Sequence, residues 1–192
     1  MEKIRDSSFF EFKQGFLAKY YSERPYDGGW PEHQNDDGWL TSKMCQEHSG
    51  KIDQRILWCG QWSEMRISEK PDIGNLVCLA SDWTRDVGLL RNNQKNCRLL
   101  STFVKNAREI DYFKSEDSRR THWLDKFRKS VPEFTGYMRI VLRQPDNGEK
   151  NENPDGTYYL HDGLGRMLPL LYMMEYEGAS MPLIHALVVR SS

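Results

Sequence analysis

Apolar residues recur at helical spacing near the start of the chain. Across residues 7–22, "SSFFEFKQGFLAKYYS", Phe9, Phe12 and Phe16 fall at i, i+3 and i+7, with Tyr20 next on the same stripe. Ser7 or Ser8 stands where a side-chain cap is wanted, so the spacing predicts a helix that docks an aromatic stripe on a core. The same period returns in residues 97–110, where Leu99, Leu100, Phe103, Val104 and Ala107 share one face. A third helix is predicted over residues 117–130 from Trp123, Phe127 and Val131, with Arg119, Arg120, Lys126, Arg128 and Lys129 on its other face. Later the period shortens to two. Met138, Ile140 and Leu142 alternate with Arg139 and Arg143, as in a half-buried strand. Residues 157–161, "TYYLH", are β-prone, and residues 182–190, "PLIHALVVR", form the near-continuous apolar run of a strand buried on both faces. Between those two, a helix is predicted over 165–176, closed by Gly178 as the residue after its C-cap.

Other stretches are less periodic. Residues 24–39 combine two prolines and three glycines with Trp30 and Trp39 and read as a turn-rich loop holding tryptophans. Asp27, Glu32, His33, Asp36 and Asp37 lie there, at a spacing that fits no calcium or zinc pattern closely. Residues 51–80 alternate short apolar runs with Gly60, Pro71 and Gly74, which fits short strands or one short helix. Residues 144–156 are a polar connection. There is no internal repeat.

Composition narrows the class. The chain has 192 residues, a length expected of one domain, spanning 1–192, with an N-terminal helix-and-loop elaboration over 1–50. An apolar fraction of 38% with 12% aromatics is enough to build a core and argues against disorder of the whole chain. A net charge of −1 excludes the broad basic footprint of many nucleic-acid binders, though not a local patch. Cys45, Cys59, Cys78 and Cys97 are 14, 19 and 19 residues apart, without the close pair that zinc sites use, and read as reduced thiols. No basic-then-apolar leader opens the sequence and no apolar run approaches membrane length, so the expectation is a soluble, cytoplasmic protein with no membrane partner.

The chemistry concentrates in residues 161–166, "HDGLGR", between the 157–161 strand and the following helix. The order strand, turn, helix, strand predicts a βαβ unit with a parallel, right-handed crossover, which places the turn at the carboxyl edge of the sheet where ligands collect. Gly163 and Gly165 let a backbone approach a ligand without a Cβ in the way. The first helical amides lack internal acceptors and carry partial positive charge, and Arg166 adds a fixed cationic fork. Gly163, Leu164, Gly165 and Arg166 together therefore describe an anion cradle, with phosphate the usual occupant. Pro169 restricts the helix start to about 165–168, because proline is tolerated in a first turn. Asp162 is a candidate cap, His161 a candidate general base, and both are candidate catalytic residues. His185, inside the buried strand, reads as a hydrogen-bonded core histidine.

The stretch "YYLHDGLGRMLPLLYMMEYEGASMPLIHALVV" resembles the C-terminal signature of the ParB/sulfiredoxin superfamily, over about thirty residues. The matching positions are Asp162, Gly163 and Arg166, then Gly178, Pro182 and the strand over 183–189. The resemblance implies an α+β (or α/β) fold: a small mixed sheet with a C-terminal βαβ core over 130–192 and helices packed around it. It also implies a nucleotide ligand of the ATP or CTP class, with Mg2+, bound by its phosphates at this turn. The cysteine of the sulfiredoxin pattern is absent, so reductase chemistry is not implied, and Gly165 stands where a histidine commonly precedes the arginine.

Two functional readings follow. In the first, the chain is a nucleotide- or phosphate-binding protein that catalyses phosphoryl transfer or phosphodiester hydrolysis, chemistry that rests on positioning and charge neutralisation. Glu133, Asp82 and Asp86 are then unranked candidates for the acidic group that would hold Mg2+. In the second, it is a non-catalytic module binding nucleic acid or protein, with Arg119, Arg120 and Arg128 meeting phosphates.

Overall fold

The computed structural model describes residues 1–22, 33–48, 60–78, 99–114, 125, 128, 138–144 and 158–190. Their strands form one mixed sheet of six. The strands are β1 (Glu2–Ser7), β2 (Gln61–Ile67), β3 (Leu76–Cys78), β4 (Met138–Arg143), β5 (Tyr158–Asp162) and β6 (Ile184–Arg190), in the spatial order β1-β2-β6-β4-β5-β3. The helices are α1 (Phe9–Ser22), α2 (Asp37–His48), α3 (Lys70–Gly74), α4 (Leu100–Glu109) and α5 (Leu164–Tyr176), with a 3-10 turn at Tyr112–Lys114. Thus the expected mixed sheet with helices around it is present.

Both faces of the sheet are covered. On one, Met65 and Ile67 of β2, Ile140 and Leu142 of β4, Leu160 of β5 and Ile184, Ala186 and Val188 of β6 pack against α3, α4 and α5. On the other, Trp62, Val141, Leu187 and Val189 meet Phe12 and Leu17 of α1 and Leu40 of α2. The period of two sends alternate residues of β6 into the two cores, which is why its sequence is apolar almost throughout. In α4 the buried Leu100, Phe103, Val104 and Ala107 follow the helical period read from the sequence. Phe12 and Phe9 of the aromatic stripe stack on Trp62, with centroids 4.9 and 6.1 Å apart. Ser8 caps α1 by accepting the Glu11 amide at 3.2 Å.

Between α1 and α2 sits a buried lysine. Lys13 Nζ reaches Asp37 at 2.6 Å and Thr41 at 2.7 Å, so its stem stays in the apolar layer while its charge is satisfied at the rim. Trp39 lies in the first turn of α2 and packs on the second core, and Asp36 accepts its amide at 3.0 Å. These two members of the acidic, tryptophan-bearing stretch therefore have structural roles. Residues 24–32 of that stretch lie outside the described residues, as do Cys59, Cys97, Asp82, Asp86, Glu133 and all of the predicted helix over 117–130 except Asp125 and Arg128.

Two expectations are corrected. The β5–α5–β6 unit is not a parallel crossover. β4 lies between the two strands, parallel to β6 and antiparallel to β5, so β5 and β6 run in opposite directions. The twenty-odd residues from Gly163 to Leu183 can return the chain in either direction, and the pairing of β4, antiparallel to β5 but parallel to β6, fixes which. Second, α5 begins at Leu164, one residue before the earliest predicted start, which leaves Pro169 inside the helix, in its second turn. Proline cannot donate to the Gly165 carbonyl four residues back. Gly165 is exposed, so water can take that acceptor.

Cys78 is 1% exposed and free, in the first core beside Leu76. Burial pushes its thiol well above the usual range, which suppresses the reactive thiolate. Alkylation of the native protein followed by peptide mapping is expected to leave Cys78 unmodified and to label it only in denaturant. Labelling of Cys78 in the native state would contradict its place in the core.

No described helix is long and apolar enough to cross a membrane.

Candidate functional site

The hexapeptide begins where β5 stops being regular. Leu160 pairs with Leu142 and Asp162 with Val141, so His161 is the extra residue of a bulge in β5. A bulge turns a side chain away from strict alternation, and His161 ends half-buried just before the helix. Gly163 then takes the N-cap position of α5 with φ of 115°, in the left-handed half of the map. Glycine is needed here for a second reason. A Cβ on Gly163 would lie 2.7 Å from Ile140 Cγ2, so the turn packs directly on β4. Asp162 stands one residue before the cap position, which Gly163 occupies.

The Gly163 carbonyl accepts the amides of Arg166 at 2.9 Å and Met167 at 2.8 Å. Helical geometry leaves Leu164 and Gly165 as the first-turn amides without an internal acceptor. Gly165 is exposed, Leu164 and Arg166 are half-buried, and Arg166 Nη2 would be 3.5 Å from the missing Cβ of Gly163. The guanidinium thus folds back over the glycine at the mouth of a helix of 13 residues. Chemically this end of α5 offers amides, the positive end of the helix dipole and a cation. Gly178, with φ of 71°, follows the C-cap Glu177 as the spacing predicts.

Of the three arginines assigned to phosphate contact, Arg119 and Arg120 lie outside the described residues. Arg128 grips Glu177 with its fork, at 2.5 Å from Nη2 and 3.2 Å from Nε, and lies 3.5 Å from Asp125. The hydrogen bonds that Arg128 donates to Glu177 raise its already high pKa. This cation is engaged at the far end of α5 from the hexapeptide.

A second polar constellation escaped the sequence reading. Glu64 of β2 is buried on the α1 face of the sheet. Its Oε1 meets His185 Nδ1 at 2.8 Å and its Oε2 accepts from Arg5 Nε at 2.7 Å. Arg5 Nη1 also donates to both carboxylate oxygens of Glu11, at 2.9 and 3.0 Å, and Ser7 Oγ donates to Glu11 at 2.5 Å. The Arg5 and Ser7 bonds hold the Glu11 carboxyl below the usual carboxylate range, and the bonds to Glu11 and Glu64 raise Arg5 further. His185 is thus the hydrogen-bonded histidine expected of a buried strand. Its partner, 121 residues away in sequence, carried no local signal.

Among the described residues, no three His, Cys, Asp or Glu side chains are grouped to hold a metal ion. Comparison of the chain with protein-family models, curated proteins and solved structures gave no match.

Proposed function

We infer that the chain binds a phosphate-bearing ligand of the nucleotide class at the mouth of α5. Phosphate oxygens would accept from the Leu164 and Gly165 amides and from the Arg166 guanidinium. The observation that carries this reading is the Gly163 cap. Its left-handed backbone turns β5 into α5 within one residue, and Arg166 Nη2 lies at the same opening, within van der Waals range of where a Cβ on Gly163 would be. A resemblance to the ParB/sulfiredoxin turn agrees with this placement. Catalysis of phosphoryl transfer or phosphodiester hydrolysis would draw on His161, the bulged residue three positions before the start of α5, as its proton-moving group. The alternative is a nucleic-acid-binding module built on the basic helix, of whose three arginines the described one, Arg128, is bonded to Glu177.

A ligand that binds the native state raises its stability, by about 2.7 kcal/mol at a hundred times its Kd. Thermal unfolding of wild type and Arg166→Ala with nucleoside mono-, di- and triphosphates, each with and without Mg2+, is expected to show a rise for wild type that the variant loses. Equal rises in a folded Arg166→Ala protein, or none with any nucleotide, would end this reading.

A further inference from the structure

β1 is attached to the sheet differently from every other strand. Five of its six side chains are exposed and the sixth is half-buried, so the strand contributes no residue to either core. Ile4, the apolar residue within it, is 40% exposed. The pairing with β2 runs Lys3 to Met65 and then Arg5 to Glu64, leaving Ile4 as an extra residue that interrupts the ladder. Apolar burial, the main stabilising term elsewhere in the sheet, is therefore missing from this strand.

Charge takes its place. Arg5 bridges Glu64 on β2 and Glu11 on α1, and the Met1 amine meets Asp72 at 2.7 Å, while the 2.6 Å pair of Lys3 with Asp6 lies within the strand itself. The Met1 side chain, ahead of the strand, packs on the rim of the first core. A single residue, Ser8, separates β1 from α1, whose Phe12 and Leu17 are held in the second core independently of the strand. Such an element has a low local opening free energy by its composition, because it loses only ladder bonds and ion pairs when it leaves. Exposed ion pairs weaken as salt screens them, while buried apolar contacts do not.

We propose that β1 is an ionically latched edge strand, which opens from β2 while the rest of the sheet remains folded. Arg5 is the latch. When it lets go, the edge of β2 and the Glu64 carboxylate become accessible, and a buried acidic group with an open strand edge replaces a closed, charge-blunted one.

Hydrogen exchange of the whole chain at fixed pH, resolved to peptides covering β1, β2 and β6, tests this. In wild type the β1 amides are expected to exchange faster than those of β6, and about tenfold faster again in 1 M NaCl than in 50 mM, while β6 changes little. Arg5→Gln is expected to bring the low-salt rate of β1 close to the high-salt value and to reduce its salt dependence to what the Met1–Asp72 pair leaves. Glu11→Gln, which leaves the Arg5–Glu64 bond, is expected to give a smaller change of the same sign. Protection of β1 equal to that of β6 at every salt concentration would overturn the proposal. So would an Arg5→Gln variant in which β1 and β6 accelerate together, because the strand would then belong to the cooperative core.

Discussion

Gly163→Ala is expected to destabilise the protein by about 3 kcal/mol, the sum of a strained backbone and an overfilled contact. The first part is conformational, since φ of 115° lies where a side chain collides with its own backbone. The second is steric. The new methyl would lie 2.7 Å from Ile140 Cγ2 and 3.2 Å from Ile140 Cβ, and Ile140 is wholly buried in the first core with no free direction to move. Gly178→Ala separates the two parts, because it has φ of 71° but nothing within 4 Å of the added methyl. Its cost is expected at about 1 kcal/mol. Urea unfolding of both variants measures the difference. Equal losses would mean that β4 yields to the methyl and that the turn is held by backbone conformation alone.

The elements most legible in the sequence are those that bury a full face. α4 shows its stripe because Leu100, Phe103, Val104 and Ala107 all reach one core, and β6 reads as doubly buried because its residues feed two. β1 was invisible for the same reason in reverse. "EKIRDS" buries nothing, so no alternation marks it, and its place depends on pairing with a segment some sixty residues away. Gly163 could be read as a turn glycine, but not the contact with Ile140 that makes it indispensable, because β4 is distant in sequence. The direction of β6 relative to β5 was equally hidden. The strand-helix-strand order was correct, yet whether the connection is parallel depends on β4 entering between them, a non-local choice. The anion-site reading of Gly163–Arg166 drew on two things: the strand-turn-helix order, which the fold has, and a parallel crossover, which it does not.

Glu64→Ala is expected to cost about 3 kcal/mol, the scale of leaving a buried hydrogen-bonding group unpaired and a cavity beside it. The Glu64 side chain is 7% exposed and lies between two groups from neighbouring strands, Arg5 directly opposite on β1 and His185 diagonally placed on β6. Without the carboxylate, His185 loses its Nδ1 partner in a setting where the ring is only 14% exposed, and a cavity opens beside it. Arg5 fares better. It is 48% exposed, and in Arg5→Ala the Glu64 carboxylate keeps His185 Nδ1, so Arg5→Ala is expected to cost less than Glu64→Ala. Glu64→Gln should fall between them, since the amide keeps one acceptor for a protonated ring nitrogen but turns a donor toward Arg5 Nε. Denaturant unfolding of the three variants, with the Arg5→Ala/Glu64→Ala double variant closing a cycle, fixes the order. A loss below about 1 kcal/mol for Glu64→Ala would place the carboxylate among ordinary surface pairs. The stated order, with the double variant costing less than the sum of the singles, would make Glu64 the residue that joins β1, β2 and β6 into one electrostatic unit.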